Sequence, residues 1–113
     1  MASNQFHNST YSGVGTTDTS IYVAPAGKKS LLIQFDITNT LSIDTIQVDM
    51  FLYDSSKATK FYIFKNYSVP AGDNLCAIEL GKKIVLESGD YVGVKSSTAA
   101  SADVIVSVLE DVN

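Results

Sequence analysis

Between Leu31 and Thr38 the chain alternates. Leu31, Ile33, Phe35 and Ile37 fall on one side, and Gln34, Asp36 and Thr38 on the other. A period of two is the signature of a strand with one dry face, because successive side chains of an extended backbone point to opposite sides. The segment Ile46–Asp54 repeats it with Ile46, Val48, Met50 and Leu52 inward, and the last segment does so with Val104, Val106 and Val108. A helix would need apolar residues at three- and four-residue steps, and no stretch sustains them. The best helical competitor, Ile43 to Leu52, still fits alternation better.

Turn chemistry divides the rest. Pro25-Ala26-Gly27, Pro70-Ala71-Gly72 and Ser88-Gly89-Asp90 each separate two apolar runs, and Pro and Gly supply the backbone angles that reverse a chain. Looser breaks fall at 39–44, 54–60 and 96–102. The reading is all-β: about eight antiparallel strands with the turn spacing of a sandwich. The expected strands are Thr17–Val23, Lys29–Thr38, Thr45–Asp54, Phe61–Val69, Asn74–Leu80, Lys83–Leu86, Tyr91–Lys95 and Asp103–Glu110. Residues 16–113 form the sandwich domain. Residues 1–15, rich in Asn, Ser, Thr and Gly without periodicity, are expected to be an extended N-terminal arm that lies against its own domain or a neighbouring subunit. The similarity of Val23–Gly27 to Ser68–Gly72 is one turn used twice, not a repeat array.

At 113 residues, 45% apolar and 18% charged, the chain is sized for one domain with a real core. Its formal net charge of -4, with no Lys/Arg cluster beyond Lys28-Lys29, argues against nucleic-acid binding. No apolar stretch reaches bilayer length. The N-terminus carries neither a basic n-region nor an apolar h-region. The sequons at Asn8 and Asn66 are accordingly not read as glycosylation sites. Cys76, the one cysteine, cannot form an internal disulfide or a cysteine-based zinc site and reads as a small buried hydrophobe.

The search for catalytic chemistry yields no candidate. The one histidine, His7, lies in the polar arm, away from any nucleophile a general base would serve. The acidic residues are scattered; Asp36 and Asp49 read as solvated outward positions, and Glu87–Asp90 as a tight turn without the alternating oxygen ligands of a calcium loop. Gly13-Val14-Gly15 does not lead into a helix, so it is no phosphate loop. The chain is therefore expected not to be an enzyme and to need no metal or cofactor. What asks for explanation is the aromatic content of two strands. Phe51 and Tyr53 point away from the core set of their strand, and Phe61, Tyr62, Phe64 and Tyr67 make the next strand aromatic on both faces. Outward aromatics are either covered within the domain or form an interface.

The order Ile21-Tyr22-Val23-Ala24-Pro25-Ala26-Gly27-Lys28-Lys29, Phe35-Asp36-Ile37-Thr38-Asn39-Thr40, Val69-Pro70-Ala71-Gly72 and Ile84-Val85-Leu86-Glu87-Ser88-Gly89-Asp90-Tyr91, completed by Val94–Ser97 and Val106–Glu110, resembles a family of small tailed-bacteriophage virion proteins. The resemblance spans about residues 20–110. Its motifs are turns and strand ends, so they speak for architecture and carry over no functional residue. It implies a jelly-roll-like sandwich and a structural place in the virion. The leading expectation is a capsid decoration (cement) protein on the head surface, assembled in the host cytoplasm, whose partners are the major capsid protein and sister copies in a homotrimer or dimer. The interface is expected at Gln5, Phe6, His7 and Tyr11 of the arm and at Phe51 and Tyr53. The alternatives are a tail, neck or fibre accessory, and a carbohydrate-binding host-recognition module using Tyr53, Tyr62 and Tyr67, against which the absence of Trp counts.

Overall fold

The computed structural model describes residues 4–78 and 83–111. These hold nine strands: β1 (Asn4–Val14), β2 (Thr19–Val23), β3 (Lys29–Asn39), β4 (Ile46–Asp54), β5 (Thr59–Val69), β6 (Asn74–Ile78), β7 (Ile84–Leu86), β8 (Tyr91–Ser96) and β9 (Ala102–Asp111). One sheet runs β1-β9-β3-β6, with β7 also on β3, and the other runs β2-β8-β4-β5. Every pairing is antiparallel. The first strand lies beside the last, and every connection but β4–β5 and β6–β7 crosses from one sheet to the other, which is jelly-roll-like connectivity. The molecule is elongated, 50 × 26 × 23 Å.

The expected strands are present, with ends shifted by one or two residues; the final residues of the Asn74–Leu80 segment lie outside the described residues. The N-terminal segment is the principal revision. It is extended, but as β1, an edge strand laid on β9 from Asn4 opposite Asp111 to Tyr11 opposite Val104 without a break. Val14, at its end, is fully buried in the core, so the sandwich begins before residue 16. The polar composition hid this because both faces of β1 are wet, and alternation appears only where one face is dry.

The core lies between the sheets. Leu32, Phe35 and Ile37 of β3, Ile46, Val48 and Met50 of β4, Val92 and Val94 of β8, and Val104, Val106 and Val108 of β9 are all at most 1% exposed. The alternation read in β3 is broken once. A register shift between Leu32 and Gln34 inserts a residue, so Leu32 enters the core while Leu31 and Ile33 are only half-buried. A single inserted residue inverts the facing of everything on one side of it.

The three turn signals prove to be one device. Lys28, Asp73 and Asp90 donate their backbone N–H to the carbonyls of Pro25, Pro70 and Glu87, at 3.1, 3.0 and 2.8 Å. The third residue of each turn is a glycine at φ 75°, 73° or 81°. That is a type II turn, whose third position needs positive φ. The prolines sit at the first position, as carbonyl acceptors, one place earlier than turn preferences suggest. The Asp90 carboxylate, 5% exposed, accepts from Glu87 N at 3.0 Å, Ser55 N at 2.9 Å and Ser55 Oγ at 3.1 Å. It thereby ties this turn to the β4–β5 connection. At the other end Asn39, fully buried, donates through Nδ2 to the carbonyls of Asp44 and Val69 and accepts from Leu41 N. The Asn-Thr strand end and the closing Asp of the sequence motifs are thus polar anchors of the two ends of the sandwich.

Candidate interaction surface

The β2-β8-β4-β5 sheet presents an aromatic outer face. Phe51 stands opposite Gly93 of β8 and Tyr62 of β5, and Tyr53 stands opposite Tyr91 and Lys60. Directly opposed residues share a face, so these rings gather outside the core. Tyr53 stacks on Tyr91 with centroids 4.8 Å apart, and Phe51 meets Tyr62 and Tyr91 edge-on at 6.3 and 6.2 Å. Phe51 is nevertheless only 2% exposed. Its ring lies on Gly93, where a Cβ would come within 2.4 Å of Cζ. The Lys60 ammonium sits 4.8 Å from the ring centroid and pairs with Asp18. Lys60 therefore straps the ring down, its stem over the apolar surface and its charge in water.

Phe51, expected at an interface, is thus covered within the domain and has nothing left to bury. Tyr53 is half-buried. The exposed material on this face is Tyr62 at 43% and Val23 at 50%, with Lys65 4.6 Å from the Tyr62 ring; Phe61 and Tyr67, also exposed, oppose Leu52 and Val48 and so belong to the other face of β5. The missed residues were legible only as a glycine and lysines; nothing in the sequence says which ring a lysine will cross.

The β5 rim is guarded against pairing with another strand. Two register shifts distort its ladder with β4, Asn66 takes φ 55°, and Lys60 and Lys65 stand along the strand before it. Bulges and lysines are the usual protection of an exposed edge. Asp49, read from sequence as a solvated outward residue, is 8% exposed and holds the bulge by accepting from Asn66 N at 2.7 Å. A shallow polar depression of about 140 Å³ lies beside it, lined by Gln47, Asp49, Asn66, Lys95, Ser96 and Ser97. Among the described residues no three His, Cys, Asp or Glu side chains come together as a metal site.

The other sheet carries a different surface. Phe6 opposes Leu109, Leu109 opposes Leu31, and Leu31 opposes Val85, making an apolar row across four strands, ~14 Å at the usual strand spacing. Phe6 is 78% exposed and Val85 57%, and Ile105 nearby is 53%. Gln5 and His7 are on the opposite face of β1. The His7 Nε2 lies 3.2 Å from Gln5 Oε1 and 3.2 Å from Glu110 Oε1. Tyr11 is 42% exposed further along the strand. The six expected interface residues are thus divided between two sheets: Gln5, Phe6, His7 and Tyr11 on β1, Phe51 and Tyr53 on β4.

Glu110 also ties the two sheets together. The Tyr22 hydroxyl donates to Glu110 Oε2 and lies 2.7 Å from Ser30 Oγ. Burial first, then the hydrogen bond to Glu110, push the Tyr22 pKa up to about 12. The folded state therefore holds this proton more tightly than the unfolded chain, where tyrosine ionises near 10. The corresponding stabilisation is complete below about pH 10 and is lost as pH rises through about 12. Tyrosinate absorbance of the wild type minus that of Tyr22→Phe is expected to show one group ionising near pH 12. A difference curve centred at pH 10 would refute the assignment.

Comparison with models of known families finds no match, and comparison with the sequences of characterised proteins finds none either. Solved structures share the architecture. A chain of the acid-stable capsid structure of Helicobacter pylori bacteriophage KHP30 superposes with a TM-score of 0.55 at 11% identity, over 99% of this chain and 94% of that one. A chain from the disulfide-linked pili of Bacillus endospore appendages gives 0.54 at 12%, over 97% and 86%. A chain of infectious bursal disease virus, strain Gx, gives 0.51 at 12%, over 98% of this chain and 31% of that one. At such identities the common property is the fold.

Proposed function

We propose that this chain is a virion structural protein that decorates a phage capsid as cement. The observation that carries the reading is the presence of two separate uncovered surfaces on opposite sheets. One is the apolar row Phe6–Leu109–Leu31–Val85, and the other is the outer aromatic face between Tyr62 on β5 and Val23 on β2. A bridging subunit needs two contact faces, because it stabilises a shell by touching neighbours the shell itself does not join. Binding only the assembled state shifts that equilibrium by mass action. The capsid chain of bacteriophage KHP30 supports the reading, since it has this architecture along nearly its whole length. The partners are the major capsid protein and sister copies, and no catalytic step is assigned.

The test is occupancy on heads. Val23→Asp/Tyr62→Asp charges one face and Phe6→Asp/Val85→Asp the other, all at exposed positions outside the core. Each pair is expected to lower the copies bound per head at least tenfold, while circular dichroism stays that of the wild type. Full occupancy by both variants would defeat the proposal, and so would a count of a few copies per particle, which belongs to a tail, neck or fibre component. A second reading, a filament subunit, draws support from the Bacillus endospore pili and from the unguarded edge of β1. It requires the purified chain to polymerise without capsid, which electron microscopy decides.

A further inference from the structure

We infer that β1 is an exchangeable strand, which leaves its own sandwich about Gly13 and takes the same place on β9 of a second copy of this chain. This does not rest on the virion reading. Three features of the fold carry it.

The first is what β1 fails to bury. From Gln5 to Ser12 every side chain is exposed except Ser9, which is half-buried. Phe6 is 78% and Tyr11 42% exposed. The strand is attached by its ladder to β9, by Ser9 Oγ donating to the Ile21 carbonyl at 2.7 Å, and by His7 beside Glu110 at 3.2 Å. A strand held chiefly by solvent-accessible backbone hydrogen bonds belongs to the low-stability end of a structure.

The second is where the attachment stops. The ladder breaks between Tyr11 and Val14, where the Gly13 N–H donates instead to Asp103 Oδ1 at 3.2 Å, and Gly13 sits at φ 77°, an angle that costs glycine little. Immediately beyond, the chain is fixed. Val14 is fully buried, its carbonyl accepts from Ser101 N at 3.0 Å, and the Gly15 carbonyl accepts from Ser96 N at 2.9 Å. A pivot thus lies between a segment outside the core and a residue inside it.

The third is the acceptor. Once β1 swings out, β9 becomes a long, regular edge, and such edges pair with any matching strand. A strand matched to it over the whole run Asn4–Tyr11 exists in every copy of this chain. The exchanged state repeats every contact of the closed state, so it costs no interaction, and concentration then decides between them.

Asn8 and Ser107 are opposed in the ladder. Single variants N8C and S107C, each in a C76S background, are mixed at millimolar concentration and oxidised. A heterodimer of twice the chain mass is expected, with a yield about tenfold above that at micromolar concentration. The double variant N8C/S107C controls for folding and reach, since at high dilution it closes within one chain. If that closure occurs but no heterodimer forms at any concentration, the inference is overturned. It is equally overturned if N8C alone dimerises as well as the mixture, because that reports two β1 strands lying side by side. Should C76S impair folding, the native Cys76 is kept and the linked peptides are identified by mass spectrometry: a peptide pair joining residues 8 and 107 of different chains supports exchange, and its absence overturns it.

Discussion

Replacing Gly93 by valine is expected to destabilise the fold by about 3 kcal/mol, the upper part of the range for overpacking a well-filled site. The cause is local. A Cβ on residue 93 would lie 2.4 Å from Phe51 Cζ, 2.9 Å from Phe51 Cε1 and 2.8 Å from the Thr19 carbonyl oxygen. The ring must leave, and with it go its edge contacts to Tyr62 and Tyr91 and the seat of the Lys60 ammonium. In urea the midpoint is expected to fall by roughly 2 M for a slope of about 1.5 kcal/mol/M. The diagnostic measurement is the double-mutant cycle with Phe51→Ala. Truncating the ring removes two of the three clashes, so the valine should cost about 1–2 kcal/mol less in that background, a coupling typical of touching residues. Strict additivity would show that the Phe51 ring does not rest on Gly93.

The second large effect is expected at Asn39. Its amide donates to the carbonyls of Asp44, at 2.8 Å, and Val69, at 2.9 Å, and its Oδ1 accepts from Leu41 N at 2.9 Å. The backbone of Asn39 is also paired, with Asp73 and Gly72. Its side chain therefore joins the end of β3 to the loop into β4 and to the end of β5, and its backbone joins them to the Pro70 turn. Asn39→Ala strands these groups where water cannot readily replace the partner, and a cost on the order of 3 kcal/mol follows from the penalty for unsatisfied buried polar groups. Asn39→Asp should be no better despite its matching shape, because a carboxylate presents oxygen to two carbonyl oxygens and supplies no donor. Denaturation midpoints of the two variants decide the matter. An aspartate variant as stable as the wild type would refute the assigned donor role.

The legible part of this fold was the part with one dry face. The alternation in β4 and β9 assigns Val48, Met50, Val104 and Val106 to the core, where all four lie, and the Pro-Ala-Gly and Ser-Gly-Asp triplets mark real turns. β1 escaped because a strand wet on both sides has no period to read. In β3 the pattern was present but misleading, since the inserted residue after Leu32 exchanged the facing of Leu31 and Leu32. The surfaces were half legible. The outward direction of Phe51 was correct, but its exposure was not, because burial there depends on a glycine in another strand and a lysine in a third. Such long-range pairings are what a one-dimensional pattern does not contain. The row Phe6–Leu109–Leu31–Val85 is of the same kind, four residues scattered through the sequence and adjacent only by register.

The elongated outline of the domain has a consequence for measurement. A sandwich 50 Å long and about half as wide adds very different amounts of thickness to a particle depending on how it lies. Seated end-on, a full complement would widen a head by about 10 nm across its diameter; laid flat, by about half of that. Under the proposed cement role, hydrodynamic radius measured before and after the chain is added to bare heads therefore reports its posture without an image: whether an end or a flank of the sandwich meets the shell.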